Sequence, residues 1–408
     1  MSKESSQSRR LPITRIRGAM GLLALLLPSA CIFEGSESPS SSANELVPGA
    51  GDGTSGTSSG APQTPAEPWK ADAEQYDVGV TRDLPVTMPD GRVLRGEVHT
   101  PVDRATRKPA DGPFPVILAF TPYGKTIYSP INDYFVKRGY IGVAVDVAGT
   151  GGAEGKMELF SKQEAIDSKS IVDWASKLPH SNGKVGTTGI SYLAITQLFA
   201  AAAVGPNSPL KAIFPIAAAV DPYRDLFVSG GLVNAESSLG LIFGYAGVRT
   251  VTPIAERGLS NPFKALQLSG EHLAQTVPFE GQTAMDVLVE GERRFDGPYW
   301  QERAPENILA EIVKNDVAVY LVAGQYDVFQ RGNSLIYSGL QNVFAGRPVT
   351  APMVPGQPVS SRFQMLFGPW DHGNQGTGFG LNLDEIQLQW FDEWLKGRDT
   401  GITKTSTP

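Results

Sequence analysis

The sequence predicts an α/β protein whose core is a mostly parallel sheet. Short apolar runs without polar alternation recur along the chain, and such runs are typical of strands buried on both faces. Helix-like segments lie between several of them, so strand and helix alternate. This order favours a wound sheet that presents functional groups at the carboxyl ends of its strands. A hydrophobic fraction of 41% and a charged fraction of 19% are those of an ordinary globular protein.

The globular part is expected to begin near Trp69 with an antiparallel hairpin over 79–100, where apolar and polar residues alternate around a Pro-Asp-Gly turn. The predicted parallel strands follow at 116–120, 140–147, 184–190, 210–218, 317–324 and 363–368. The predicted helices between and after them are 162–178, 192–204 and 383–397.

Residues 223–313 interrupt the alternation of strands and helices. They contain Gly/Ser-rich and amphipathic segments and lie between two predicted strands. Such an insertion predicts a helical lid, here called the cap, over an active site. It divides the predicted core domain into a first part over 69–222 and a second part over 314–408.

The first 31 residues predict an export signal of the lipoprotein type. Four arginines between positions 9 and 17 precede an apolar stretch at 19–27, which is too short to span a bilayer. Small residues then lead to Cys31, the single cysteine of the chain, which resembles a bacterial lipoprotein cleavage box. We therefore expect lipidation at Cys31; the alternative is an ordinary secreted protein cut near Ala30.

Residues 32–68 are rich in Ser, Gly, Pro and Ala and predict a flexible linker between the anchor and the folded domain. The expected location is an exported lipoprotein on the periplasmic or cell-surface side of a membrane, or a secreted protein. A net charge of -7 and a pI near 5.3 exclude a basic surface for nucleic acid. Nothing in the sequence resembles a metal-ligand cluster. Neither a metal nor an organic cofactor is expected.

The segment around Ser191 is the candidate nucleophile site. A predicted strand runs into Ser191, and a predicted helix begins with Tyr192, which is typical of the sharp turn that exposes a catalytic serine. Gly189 supplies the small residue that such a turn needs. Leu193 stands where the generic pattern has a second glycine, so a serine that only caps the helix is the alternative.

A nucleophilic serine needs a base, and His372 is the best placed of the four histidines because it follows the last predicted parallel strand. The others lie in the hairpin, in the loop before the Ser191 strand and in the cap; they are His99, His180 and His272. A solvated loop histidine is the alternative interpretation of His372.

The third member should be an acid that follows an intervening strand, because α/β hydrolases present serine, acid and histidine in that chain order. Asp327 ends VAVYLVAGQYD and fits, whereas Asp316 precedes that strand and Asp371 is too close to His372. A turn-capping aspartate is the alternative. An oxyanion also needs donors, for which the backbone N–H of Tyr192 and a group of Tyr123, just past the first core strand, are the candidates.

Seven motifs between about 79 and 400 carry a family resemblance. They are MPDGRVLRG, TPYGK, DVAGTGGAEG, NGKVGTTGISYLA, GQYDVF, FGPWDHGN and QWFDEWLKG. The ordered set resembles the family of X-prolyl dipeptidyl-peptidases, cocaine esterase and α-amino-acid ester hydrolases. In that family a tyrosine follows the serine and a glycine stands three residues after it; here Tyr192 is present and Ala194 replaces the glycine.

The resemblance implies an α/β-hydrolase fold with a mostly parallel central sheet and a helical lid insertion. It implies Ser191, Asp327 and His372 as a catalytic triad, with the Tyr123 hydroxyl beside the Tyr192 amide in the oxyanion hole. Family members usually continue after QWFDEWLKG into a C-terminal β-sandwich, and this sequence ends at Pro408. The sandwich is therefore expected to be absent.

The expected function is that of a serine hydrolase that cleaves a small-molecule ester or amide, or a short peptide, through an acyl-enzyme. Esterase and proline-directed aminopeptidase both remain open. The aminopeptidase needs an anion for the substrate ammonium, and Asp221, Asp225 and the cap glutamates are unranked candidates. A surface binding protein of this fold with impaired catalysis is the alternative. The oligomeric state stays open.

Overall fold

The computed structural model describes residues 69–229 and 232–404. The signal predicted for 1–31, the lipidation at Cys31 and the linker over 32–68 lie outside these residues. Within the described part of the chain, no helix combines the length and apolar character needed to cross a bilayer.

An eight-stranded mixed sheet forms the core, with strand order β1-β2-β4-β3-β5-β6-β9-β10. The first two strands form the predicted hairpin, and β2 pairs antiparallel with β4, while the six strands from β4 to β10 pair in parallel. The strands are β1 (Asp77–Thr87), β2 (Val93–Val102), β3 (Phe114–Thr121), β4 (Ile141–Asp146), β5 (Ser181–Ile190), β6 (Leu210–Ile216), β9 (Ala318–Gly324), β10 (Phe363–Gly368) and, in a separate small ribbon, β7 (Val228–Ser229) and β8 (Leu232–Val233).

Helices cover both faces of this sheet. In chain order they are α1 (Asp133–Val136), α2 (Lys162–Ala175), α3 (Tyr192–Ala203), α4 (Ala235–Arg257), α5 (Pro262–Ala274), α6 (Gln282–Leu288), α7 (Pro298–Gln301), α8 (Leu309–Lys314), α9 (Gln330–Phe344) and α10 (Leu383–Phe391). The fold class predicted from the sequence, an α/β protein with a mostly parallel sheet, is confirmed.

The alternation of side chains along β3 explains why an uninterrupted apolar run in the sequence forms a strand. All eight residues of β3 are buried. Val116, Leu118 and Phe120 belong to one hydrophobic cluster, and Ile117 belongs to the other. Because successive strand residues point to opposite faces, a strand covered on both sides needs apolar residues at every position.

Three helices predicted from the sequence are present, with shifted ends. The helices predicted to end at 178 and 204 end at Ala175 and Ala203. The last predicted helix ends at Phe391 and continues as a π-helical turn, Asp392–Lys396, which Gly397 ends with a left-handed φ of 71°. Helix α9 was not predicted.

The cap segment contains helices α4 to α7, which lie between the sheet strands β6 and β9 in the chain. Its longest helix, α4, contacts the loop after β3 through Tyr245 and Glu256. The carboxyl ends of β5, β9 and β10 are followed within four residues by Ser191, Asp327 and His372. Their position at one edge of the sheet follows from the parallel pairing of β5, β6, β9 and β10.

Candidate active site

Ser191 joins the end of β5 to the start of α3 in a strained conformation. Its φ is 64° and its ψ is -122°, a region that costs a non-glycine residue about 1–3 kcal/mol. Its N–H donates to the carbonyl of Ile216 at 2.9 Å. The side chain makes no capping hydrogen bond to α3, which argues against the capping interpretation and leaves the hydroxyl for another use.

Gly189 explains how this turn tolerates Leu193. The φ of Gly189 is +144°, and a Cβ built there would lie 2.5 Å from the Cβ of Leu193. The two positions therefore share one space, which Leu193 fills. Because a glycine already stands on the strand side of the turn, the second glycine of the generic pattern is not needed for clearance.

Asp327 and His372 are joined by a hydrogen bond. His372 Nδ1 lies 2.8 Å from Asp327 Oδ2, and the aspartate side chain is fully buried. Asp327 Oδ1 accepts the N–H of Phe329 at 2.6 Å, so the carboxylate also fixes its own turn, as the capping interpretation expected. The Gln375 amide donates to Oδ2 at 2.8 Å. Three donors thus hold one carboxylate in place.

The structure places the imidazole beside the serine cavity without a hydrogen bond to the serine. The ring of His372 packs edge-on against Phe329 with centroids 5.5 Å apart, and Phe329 lines the same cavity as Ser191. Within the described ranges, Ser191 Oγ and His372 Nε2 make no hydrogen bond. Asp327 occupies Nδ1, so Nε2 is the ring nitrogen that remains to act on another group.

The predicted oxyanion donors meet at Tyr123. Burial raises the pKa of its hydroxyl, and the hydroxyls of Tyr245 and Ser191 and the backbone N–H of Tyr192 act in the opposite direction. The Tyr123 hydroxyl therefore lies within reach of both the serine and the first N–H of α3. Helix α3 spans twelve residues, and its N-terminus adds a favourable potential for negative charge at this point.

The side chain of Tyr192 points away from the serine and donates to Glu164 Oε2 at 2.8 Å. Burial raises the pKa of Glu164 to about 8. Neither this contact nor that of Gln375 was predicted. Gln375 follows His372 by three residues in the same loop, a position that could have identified it, whereas nothing in the sequence relates Glu164 to Tyr192.

The remaining histidines lie away from this arrangement. His99 is held between Glu97 and Asp133 at 2.9 and 2.7 Å, and these carboxylates raise its pKa against the effect of burial. His180 is exposed. His272 is buried in the cap with its ring nitrogens against two backbone carbonyls, and burial lowers its pKa.

Ser191 lies on the wall of a small cavity of about 30 Å³, which has room for about one or two water molecules. Aromatic and aliphatic side chains form most of the wall. The described lining residues, besides Ser191, are Leu159, Phe160, Tyr192, Ile195, Leu226, Phe227, Tyr245, Phe279, Glu280, Thr283, Tyr299, Trp300 and Phe329.

Glu280 is the only carboxylate among those described lining residues. Its Oε1 lies 2.6 Å from Arg249 Nη2, and both side chains are fully buried. Burial raises the pKa of Glu280 to about 7. Asp221 and Asp225, the other predicted anions, are not among the lining residues. They lie against Arg224 and Arg331 at 2.5 and 2.6 Å, respectively.

Comparison with known proteins gives a family. A family model described as X-Pro dipeptidyl-peptidase (S15 family) matches residues 90–374. Cocaine esterase of Rhodococcus sp. (strain MB1 Bresler) is 34% identical over 168 residues, which are 40% of this chain and 28% of that protein. A putative Xaa-Pro dipeptidyl-peptidase of Bacillus anthracis is 27% identical over 299 residues, covering 69% of this chain and 42% of that protein. The chain thus spans less than half the length of these two curated relatives.

Among solved structures, a CocE/NonD family hydrolase from Staphylococcus aureus aligns with a TM-score of 0.55. The alignment covers 80% of this chain and 52% of that chain at 20% identity, which shows the shared fold. The resemblance predicted from the seven sequence motifs is confirmed by these matches. Because the family model covers more than half of the sequence, the chain belongs to the X-Pro dipeptidyl-peptidase (S15) family.

Proposed function

We propose that the chain is a serine hydrolase in which Ser191 attacks an ester carbonyl, His372 takes the serine proton and Asp327 orients the imidazole. The observation that carries the proposal is the hydrogen bond between Asp327 and His372, which forms beside the cavity lined by Ser191. Family membership supports the same chemistry. It gives no support to the alternative of a binding protein.

The first step makes a bond between Ser191 Oγ and the carbonyl carbon while the proton moves to His372 Nε2. The Tyr192 N–H and the Tyr123 hydroxyl stabilise the oxygen that becomes negative. His372 then protonates the leaving alcohol, and an acyl-enzyme remains. Water attacks it with His372 as base, and the acid product and free Ser191 result.

This proposal requires His372 Nε2 to approach Ser191 Oγ when substrate binds. Hydrogen bonds of this kind are often long or misaligned in the free enzyme and shorten in the substrate complex. Asp327 prepares the ring for that approach because it holds Nδ1 as the donor, so that Nε2 carries the lone pair in the neutral imidazole.

The cavity favours a neutral, apolar acyl group over a peptide with a free ammonium. Apolar and aromatic side chains form most of its wall. An ammonium needs an unpaired carboxylate, whereas Glu280 is already paired with the buried Arg249 and Asp225 accepts from two backbone N–H groups and Arg331. Ester hydrolysis is therefore the preferred activity, and X-Pro peptide cleavage is the competing outcome of the test.

Labelling with a fluorophosphonate probe tests the nucleophile. The wild-type chain should be labelled, Ser191→Ala should not, and Ser170→Ala, which removes an exposed hydroxyl on α2, should be labelled as wild type is. A folded wild-type chain that stays unlabelled would overturn the proposal in favour of the binding protein.

Kinetics on p-nitrophenyl esters and X-Pro-nitroanilides test the base and the substrate class. We expect ester turnover in the wild type and its loss in His372→Ala, with the exposed His180→Ala as the matched control. Asp327→Asn should lower kcat by about 10⁴-fold. Either its new amide faces His372 and imposes the wrong tautomer, or it faces the Phe329 N–H and opposes that donor. Faster cleavage of the nitroanilides would overturn the ester preference.

A further inference from the structure

One face of the cap helix α4 docks on the segment that carries the proposed oxyanion donor. Tyr245, Thr252 and Glu256 lie at spacings of seven and four residues, so they share a face of the helix. Tyr245 reaches Tyr123, Thr252 Oγ1 accepts the N–H of Gly151 at 3.2 Å, and Glu256 binds the Lys125 ammonium. The contacts of Tyr245 and Glu256 fix the helix against this segment, and the contact of Thr252 fixes it against the loop that follows β4.

The contact with Tyr123 combines ring stacking and a hydrogen bond. The two rings are 5.8 Å apart with planes 12° from parallel, and the two hydroxyl oxygens are 3.0 Å apart. Among the described residues, Tyr123 is the only hydrogen-bond partner of the Tyr245 hydroxyl. Because a buried hydroxyl needs a partner for its proton, this arrangement favours Tyr245 as the donor and Tyr123 as the acceptor.

The direction of that bond decides what Tyr123 can do. A phenol has one proton, and Tyr123 cannot give it both to Tyr245 and to an oxyanion. When Tyr245 donates, the Tyr123 proton is free to point toward Ser191, while the Tyr192 N–H, the other neighbour of this hydroxyl, is a second donor at the same place. A hydroxyl that accepts a hydrogen bond is also a stronger donor, because hydrogen bonds in a chain polarise one another.

We propose that Tyr245, which lies on the cap helix α4, is a positioning residue of the oxyanion hole. It donates to the Tyr123 hydroxyl and so directs the Tyr123 proton to the oxygen that becomes negative. This inference rests on the proposed function, since it needs an oxyanion at Ser191.

A buried ion cluster holds the donor segment in register with the helix. Lys125 Nζ donates to Asp146 Oδ2 at 2.6 Å and also binds Glu256, and the three side chains are at most 2% exposed. Lys125 follows Tyr123 by two residues, and Glu256 follows Tyr245 by eleven, or about three helical turns. The cluster therefore holds the segment that carries Tyr123 and the helix that carries Tyr245 in a fixed position relative to each other.

The test is the kcat of Tyr245→Phe, which keeps the stacked ring and removes only the hydroxyl. We expect kcat for a p-nitrophenyl ester to fall about 10-fold while KM stays within about twofold, and Tyr123→Phe to lower kcat about 100-fold. Tyr128→Phe is the matched control: its ring also packs on Tyr123, at 5.7 Å, and its kcat should stay within about twofold of wild type.

The double variant separates positioning from simple packing. If Tyr245 acts through Tyr123, its hydroxyl is without effect once the Tyr123 hydroxyl is gone, and Tyr123→Phe/Tyr245→Phe should have the kcat of Tyr123→Phe. An equal loss of kcat in both backgrounds, or a loss confined to KM, would overturn the inference.

Failure of this inference is distinguishable from failure of the proposed function. A wild type that is active and loses activity in Ser191→Ala, together with a Tyr245→Phe variant of wild-type kcat, overturns only the role of Tyr245. A wild type without Ser191-dependent turnover overturns both.

Discussion

Gly189→Ala should destabilise the fold through a steric conflict that the structure locates at one contact. The new Cβ would lie 2.5 Å from the Cβ of Leu193, with φ at +144°. The backbone strain costs about 1–3 kcal/mol, and overpacking a buried site costs about 1–3 kcal/mol more. We expect a loss of about 2–6 kcal/mol in the free energy of unfolding, measured by urea denaturation, which is a large part of the total for a typical domain.

Gly183→Ala is the matched control, because Gly183 has a φ of +80° and nothing lies within 4 Å of the place that a Cβ would take there. The Gly183→Ala variant should lose only the part of the free energy of unfolding that comes from backbone strain. The clash is isolated by a double-mutant cycle with Leu193→Gly, since the closest atom is the Leu193 Cβ, which alanine would keep. We expect a coupling free energy of about 1–3 kcal/mol. A coupling below about 0.5 kcal/mol would refute the reasoning.

Gln375→Leu removes one donor to Asp327; a hydrogen bond to a charged group contributes about 1.5–3 kcal/mol, so kcat for esters should fall about 10-fold to 100-fold in steady-state assays. Burial raises the pKa of Glu164 from 4.5 to about 8, so between these pH values the folded chain holds a proton that the unfolded chain has released. Stability should therefore fall as pH rises, by up to about 1.4 kcal/mol per pH unit, and urea denaturation of Glu164→Gln should lack this contribution. Cys31→Ser should move the expressed protein from the membrane fraction to the soluble fraction in a fractionation assay.

Each of these predictions has an outcome that would contradict it, and the Glu164 prediction also has a control variant. For Glu164→Gln the control is Glu158→Gln, an exposed position close by, whose stability difference from wild type should not depend on pH. An unchanged difference between wild type and Glu164→Gln from pH 5 to pH 8 would contradict the buried proton. Wild-type kcat in Gln375→Leu would show that Asp327 needs no third donor, and equal fractionation of both chains would exclude an anchor at Cys31.

The strands were predictable because burial on both faces requires apolar residues at every position, which appears in the sequence as a continuous apolar run. Helix α9 was not predicted, although its apolar residues lie together on one side of the helix. Three of its polar residues are also buried. Asn333 Oδ1 accepts the N–H of Ala218 at 3.1 Å, Gln341 bonds to the backbone at Ser360 and Phe363, and Asn342 is fully buried. These side chains satisfy core backbone groups, and residue types alone do not show which polar residues of a helix take such buried places.

The residues of the candidate site also divide into those that the sequence predicts and those that it does not. Ser191, Asp327 and His372 each follow a strand, so chain order and strand ends led to their prediction as a triad. The Tyr123 hydroxyl was predicted with them, yet its partner on α4 was not. Tyr245 lies 122 residues from Tyr123, and its place depends on how the cap docks, which residue types alone do not specify.

Substrate access depends on which side of α4 opens, because a cavity of about 30 Å³ admits no substrate as it stands. On the core side, Lys125 reaches both Asp146 and Glu256, and separating buried charges that are paired in this way costs about 3–5 kcal/mol. On the cap side, the Arg249–Glu280 pair leaves Arg249 Nε and Nη1 without hydrogen-bond partners within 69–229 and 232–404.

A partly satisfied pair holds its surroundings less firmly than a satisfied one, and protonation of Glu280, whose pKa burial raises to about 7, weakens its attraction to Arg249 further. We therefore expect the segment that carries Phe279, Glu280 and Tyr299 to move before α4 leaves the core. Opening on that side would admit substrate and leave the contact between Tyr245 and Tyr123 intact, so the proposed oxyanion hole would not have to form again in every turnover.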